Sequence, residues 1–234
     1  MARLDHSLIA GLPLFAGLSA TDLDSMLEHA RSIRVSKDKA VFEQQEAAHS
    51  FFLLLHGYVR VVKTTPDGQQ IIVRYISPGE LMGIAHAIGR TTYPASAIAV
   101  VECVVLAWPG RLWLELAAAF PSFGTNAYRT VGTRLQETHT RVMELSTEQV
   151  QHRVAHALLR LANQAGKKTE DGILIDLPLS RQDIAEMTST TLHTVSRLLA
   201  SWEEKGLVKS TRQRVTVIDS HRLVLLADGH GRKD

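Results

Sequence analysis

Apolar and polar positions along the first half of the chain alternate in short runs with a period near two. The second half changes to a period near 3.6, so strands are expected first and helices after them. Ser19-Ala-Thr-Asp22 has the spacing of a capping box and opens a short helix through about His29. From Ser32 to Trp108 the pattern is β-rich, with runs at Ser50–Leu55, Tyr58–Lys63, Gln70–Ile76 and Ser96–Leu106. His56-Gly57, Thr65-Pro66-Asp67-Gly68 and Ser77-Pro78-Gly79 are the turn signals between them. Asp67-Gly68 between two strands predicts a hairpin, and the regular spacing predicts a small antiparallel barrel or roll.

After Pro121, Tyr128, Val131, Leu135, Thr138, Val142 and Leu145 recur in steps of three and four, with Arg134, Glu137 and Arg141 beside them. This is a heptad seam, open to two readings: a two-stranded coiled coil, or an amphipathic helix packed on its own domain. The stripe is narrow, which favours the coiled coil. Ser146-Thr-Glu-Gln149 resembles a second capping box and restarts a helix with Val150, Val154, Leu158 and Leu161 on one face. The expected organisation is therefore α+β: an antiparallel β-roll sensor over residues 1–120, a dimerisation helix over 121–145, and a winged helix-turn-helix over 146–234. Within the last part, Gly166–Gly172 reads as a polar loop and Ile173–Leu177 as a short strand.

Leu179–Val208 carries the densest set of local signals. Ser180-Arg-Gln-Asp183 caps a first helix whose apolar face is Ile184, Ala185 and Met187. Thr188-Ser-Thr190 makes a turn, with Ser189 where many such turns carry glycine. A second helix starts near Thr191, buries Val195, Leu198, Leu199 and Trp202, and ends at Gly206. Its opposite face holds His193, Ser196, Arg197 and Ala200, groups small or polar enough for a DNA groove. A helix in the major groove presents side chains near its N-terminus to base edges. Arg197 is suited to donate two parallel hydrogen bonds to guanine, Ser196 to bond a base or phosphate, and Leu192 to touch a thymine methyl. A hairpin over Leu207–Ile218 sets Lys209, Arg212 and Arg214 toward phosphates, and Arg181 and Thr191 join them. The competing reading, an ordinary helical pair with a solvated face, does not account for caps, turn, stripe and basic wing together.

Composition narrows the picture without changing it. The chain has 234 residues, 45% hydrophobic and 21% charged, as in ordinary folded proteins. Its apolar runs are too short to cross a bilayer and its start lacks a secretory pattern, so a cytoplasmic protein without membrane attachment is expected. From Ser146 onward there are 13 Lys+Arg and 11 Asp+Glu, and 13 − 11 accounts for the whole net charge of +2. Charge alone would not suggest DNA; the motif does. The single cysteine, Cys103, lies in the apolar run Val100–Leu106 and reads as a packing residue. One thiol cannot hold an iron–sulfur cluster, and no metal-spaced cluster of ligands is present.

These features together resemble the CRP/FNR superfamily of bacterial transcription regulators over nearly the whole chain. Phe15-Ala-Gly-Leu-Ser19 looks like the entry to its sensor domain; His56-Gly-Tyr-Val59, Pro66-Asp-Gly68 and Ile76-Ser-Pro-Gly-Glu80 look like its β-roll turns. Leu179-Ser-Arg-Gln-Asp-Ile-Ala185 and Thr194-Val-Ser-Arg-Leu198 look like its DNA motif. Tyr93-Pro-Ala-Ser96 and Thr190–Arg197 are most similar to the NnrR/DNR-type subgroup, which responds to nitric oxide and controls denitrification genes. The resemblance implies a homodimer on promoter DNA acting with RNA polymerase. It also implies an inverted repeat with TTG-like half-sites read mainly by Arg197. His193 stands where CRP and FNR use glutamate.

The same comparison implies departures in the sensor. Cyclic-AMP-binding members use a glutamate and an Arg-Ser/Thr pair, which align near Ile84 and on Tyr93-Pro94, so cyclic AMP is disfavoured. Arg90-Thr91 imitates the pair a few residues early. A haem that captures nitric oxide is the sharper hypothesis, with histidine as axial ligand. Among His6, His29, His49, His56 and His86, the candidates are His86, His56 and His6, though for any one of them a surface or hydrogen-bonded histidine is the favoured reading. Two further classes remain in view: a cyclic-nucleotide-binding or effector-independent regulator of the same fold, and a regulatory module for a protein partner. An enzyme is not expected, because there is no nucleophile–base constellation and no phosphate loop.

Overall fold

The computed structural model describes residues 4–229. The chain divides into two compact units. One comprises the residues up to Gln69 with Val73–Glu137; the other comprises Gln70–Ile72 with Thr138 onward. The division cuts the strand that begins at Gln70, after Ile72, and the long helix that ends at Thr147, after Glu137.

The first unit opens with two short 3-10 turns and helix α1 (Ala20–Glu28). Ser19 accepts from the Asp22 N–H while Asp22 accepts from the Ser19 N–H, the capping box expected there. Strands β1 (Arg31–Val35), β2 (Ala40–Phe42), β3 (Ser50–His56), β4 (Val59–Thr64), β5 (Gln70–Ile76), β6 (Leu81–Met82), β7 (Ser96–Ala99) and β8 (Cys103–Pro109) follow. They form two four-stranded sheets, ordered β1-β8-β3-β6 and β2-β7-β4-β5. The hairpin at Asp67-Gly68 is present, with the Gly68 N–H bonded to Thr65 O and Gly68 in the left-handed region.

Phe51–Leu55 is continuously apolar because both faces of β3 are covered. Phe51 and Leu53 join one core with Trp108, Trp113 and Phe123, while Phe52 and Leu54 join another with Phe42, Tyr93 and Cys103. Ser96–Leu106 is not one strand, as the pattern suggested, but two. The chain leaves β7 at Ala99, turns through Val100–Glu102, and enters the other sheet as β8. The corner is closed by the Val100 N–H on Tyr58 O. A Cβ at Gly57 would stand 2.6 Å from Glu102 O and 2.7 Å from Cys103 Sγ, so only glycine fits against this corner. Cys103 is fully buried, its thiol lies on Tyr58 O and Val101 O, and burial raises its pKa.

Helix α2 (Trp113–Ala119) precedes the long helix α3 (Pro121–Thr147), which begins on a proline, a residue suited to the first helical turn. The second unit continues with α4 (Val150–Ala165), β9 (Gly166–Thr169), β10 (Gly172–Ile175), α5 (Arg181–Thr188), α6 (Leu192–Glu204), β11 (Val208–Thr211), β12 (Arg214–Val217) and α7 (Ser220–Ala227). Its sheet is ordered β11-β12-β10-β9.

Two expectations fail here. Ser146 does not cap α4: it lies in the last turn of α3 and its hydroxyl donates back to Val142 O, while Gln149 takes the cap position without a side-chain bond. The segment expected as a polar loop contains β9, paired antiparallel to β10 with Lys168 opposite Ile173. All four β9 residues are exposed, so no apolar alternation marks it.

Candidate nucleic-acid interface

Helix α5 begins as its sequence dictates. Ser180 Oγ accepts from the Asp183 N–H at 3.0 Å, and the Asp183 carboxylate accepts from the Ser180 N–H at 2.7 Å. Ser189 follows the helix at φ 51° and ψ 53°, the left-handed conformation for which glycine is the usual choice. The chain then enters α6 through Thr191, whose hydroxyl accepts from the Thr194 N–H and satisfies one of the open donors of the first turn.

Val195, Leu199 and Trp202 bury one face of α6. Leu198, expected in that stripe, is only half-buried, because it lies at the stripe's edge. The opposite face is open: Leu192, His193, Arg197 and Ala200 are exposed and Ser196 is half-buried. Gly206 closes the helix at φ 65°. The predicted base-reading residues thus share one exposed surface on a helix fixed by a buried one.

The wing is β11 and β12, turning at Arg212-Gln213, with Gln213 at φ 62°. Arg212 and Arg214 are exposed. Lys209 is also exposed but pairs with Asp171 at 2.9 Å, so it would exchange that carboxylate for a phosphate. Such a solvent-exposed pair contributes little and is easily exchanged. Arg181 is half-buried and donates to Ser210 Oγ at 3.2 Å, which ties the first turn of α5 to the wing. Two wing-holding groups escaped sequence reasoning. The Ser210 N–H donates to the Glu203 carboxylate, and hydrogen bonding from Ser210 lowers the pKa of that carboxyl. Their spacing, seven residues across a helix end, has no sequence signature.

Of the seam residues, Tyr128, Leu135, Thr138, Val142 and Leu145 are exposed and Val131 is half-buried. Leu135 and Val142 leave 56% and 55% of their surface open, so the stripe is not consumed by packing within the chain.

The three candidate histidines stand on different elements of the first unit. His6 Nδ1 lies 3.1 Å from Asp24, and His56 is exposed at the end of β3. His86 is half-buried on the short turn Ala85–Ile88 and lines an open cleft of about 310 Å³ with His49, Thr91 and Arg111. Among the described residues, no group of three His, Cys, Asp or Glu gathers as for a metal ion. Tyr93 is a core residue: its ring stacks on Phe42 at 4.0 Å, its hydroxyl donates to Ser50 O, and burial raises its pKa. Ile84 packs against the core that holds Phe51 and Trp108. A Glu80 carboxylate oxygen lies 2.7 Å from Arg74 and 4.0 Å from Arg134 of α3. Burial lowers the Arg134 pKa to about 10.

Comparison with known proteins agrees with this arrangement. Residues 32–120 match the cyclic nucleotide-binding domain model, and residues 152–226 match the Crp-like helix-turn-helix domain model. The chain is 29% identical over 219 residues to the cyclic AMP receptor protein of Thermus thermophilus, spanning 94% of this chain and 98% of that one. It is 28% identical over 214 residues to the nitrogen fixation regulation protein FixK of Bradyrhizobium diazoefficiens, spanning 91% and 88%. Among solved structures, a CRP-family transcriptional regulator from Thermus thermophilus superposes with a TM-score of 0.72 at 25% identity, covering 86% of this chain and 100% of that one. FixK2 from Bradyrhizobium japonicum superposes with a TM-score of 0.75 at 22% identity, covering 84% and 96%, and so shares the fold.

Proposed function

The chain belongs to the CRP/FNR family of DNA-binding transcription regulators, and on that premise we propose that it acts as a homodimer joined along α3. It reads an inverted repeat with TTG-like half-sites and works with RNA polymerase to control nitrogen-oxide and denitrification genes in response to nitric oxide. The observation that carries the DNA reading is the exposed His193, Ser196 and Arg197 face of α6 above its buried Val195, Leu199 and Trp202 stripe. Arg197 takes guanine, Ser196 a base or phosphate, and Leu192 a thymine methyl, while Arg181, Thr191, Lys209, Arg212 and Arg214 meet phosphates. His193 replaces a contact that relatives make with a carboxylate, so its base differs from theirs.

The nitric-oxide reading is supported by the resemblance of Tyr93-Pro-Ala-Ser96 and Thr190–Arg197 to the NnrR/DNR-type subgroup. A haem would be held by His86, His56 or His6, and the proposal takes His86 as first choice because it is half-buried beside a cleft. Cyclic AMP is disfavoured, since Tyr93 is committed to the core and Ile84 offers no hydrogen-bonding group to a ribose. The similarity to the cyclic AMP receptor protein keeps a second reading alive, a nucleotide-responsive or effector-independent regulator. Genome-wide mapping of bound sites with and without nitric oxide separates the two. Occupancy of denitrification promoters that changes with nitric oxide is expected; an unchanged occupancy pattern would overturn the nitric-oxide reading, leaving the DNA reading to stand on the sites themselves.

A further inference from the structure

The turn that aims α6 hangs from the last turn of α5, and the carbonyls of that turn need partners that a helix cannot supply to itself. Ala185 O accepts the N–H groups of Ser189 and Thr190. The carbonyls of the last two residues face two guanidinium groups. Arg141 Nη2 donates to Met187 O at 2.8 Å, and Arg153 Nε donates to Thr188 O at 3.2 Å.

Both arginines are footed on the end of α3. Arg141 belongs to its closing turns, and Arg153 Nη1 donates at 2.8 Å to the carbonyl of Glu148, the residue next after the helix. Arg141 Nη2 has two protons, and the second reaches Ile72 O at 3.3 Å in the same unit. Met187 and Thr188 are buried, and both arginines are half-buried. Cations at a helix C-terminus are favoured by the helix dipole as well as by the hydrogen bonds. Phosphate binding does not explain this geometry, because the donors are turned inward onto backbone carbonyls.

We propose that Arg141 and Arg153 are positioning residues for DNA reading, which clamp the last two carbonyls of α5 to the end of α3 and thereby fix the Thr188–Thr190 turn and the direction of α6. A displacement at the end of α3 then reaches the base-reading helix through two guanidinium groups. The proposal rests on the reading of α6 as the base-reading helix.

The test compares the full-length protein with Arg141→Gln, Arg153→Gln and the double variant. Amide hydrogen exchange is followed by NMR without DNA. Exchange at Ser189 and Thr190 relative to Val195 and Leu199 is expected to rise about tenfold in each single variant and about a hundredfold in the double variant, as for loss of one and of two charge-assisted hydrogen bonds. Arg153→Lys keeps the charge but cannot bridge both carbonyls, and it should remain folded without restoring protection. Fluorescence anisotropy then measures binding to a duplex selected from random DNA by the wild type, and to its scrambled version. The ratio of the two affinities should fall about tenfold in the double variant, with scrambled-duplex affinity and its salt slope unchanged. Equal acceleration across Val195 and Leu199, unchanged exchange, or equal loss on both duplexes would each overturn the clamp. If the wild type selects no sequence, the DNA reading itself fails, while the exchange comparison still decides the clamp.

Discussion

Arg197 stands exposed on α6, and among the described residues no hydrogen bond or ion pair holds its guanidinium. A group in that state can donate two parallel hydrogen bonds to one guanine without first giving up an internal partner. Arg197→Ala should cost about 1–3 kcal/mol on the cognate duplex and leave scrambled-duplex binding nearly unchanged. Competition anisotropy at fixed salt checks this, and equal loss on both duplexes would reassign Arg197 to phosphate contact. Glu203 works in the opposite sense, committed to Ser210 at the base of the wing. Its carboxyl is held below the usual carboxylate range because the Ser210 bonds favour the charged form. A folded-state pKa lowered in this way means the stabilisation is present above the unfolded value and is lost as pH falls through the folded one. Glu203→Gln, which cannot titrate, should therefore show a smaller drop in melting temperature than the wild type between pH of about 5 and about 3. Circular dichroism melts at the two pH values report it, and parallel losses would show that Glu203 does not contribute.

At the scale of elements, the turn between α5 and α6 concentrates both strain and legibility. Ser189 adopts the left-handed conformation, which costs a side-chain-bearing residue about 1–2 kcal/mol, offset in glycine by about 0.5–1 kcal/mol of extra chain entropy. Ser189→Gly should thus raise the melting temperature by a few degrees and Ser189→Val should lower it, with DNA affinity following only if the turn moves. The position of this turn was readable because the capping box at Ser180, the apolar face of α5 and the cap at Thr191 are all local. The same logic succeeds at Ser19 and fails at Ser146, where identical spacing lies inside a helix that continues and the hydroxyl turns back to Val142. Strand β9 was unreadable because every residue is exposed and its pairing with β10 is a tertiary event. The β7–β8 corner escaped because Val100–Glu102 carries no turn residue; Gly57, more than forty positions earlier, makes room for it. The exposed face of α6, proposed to read bases, was legible from periodicity. Its supports, Glu203 on Ser210 and Arg153 on Thr188, join residues whose meeting only the fold determines.

For the whole molecule, the proposed dimer turns on the α3 seam. An exposed helix face holding Tyr128, Leu135, Val142 and Leu145 leaves apolar area in water that a second copy would cover, at about 25 cal/mol for each Å² removed. The spacing fits a two-stranded coiled coil, whose symmetry would present two reading helices to half-sites one helical turn apart, about 34–36 Å. Linking two modest half-site affinities in one dimer multiplies them without any new base contact. A charge in the seam should therefore damage DNA binding without touching the reading face. Leu135→Asp, exposed in the single chain, should leave the fold intact and shift the protein to monomer in sedimentation equilibrium at micromolar concentration. Affinity for the full inverted repeat should then fall by about two orders of magnitude, while affinity for an isolated half-site stays the same. A variant that remains dimeric, or that loses half-site and full-site binding equally, would remove α3 from the interface and leave the apolar stripe needing another partner.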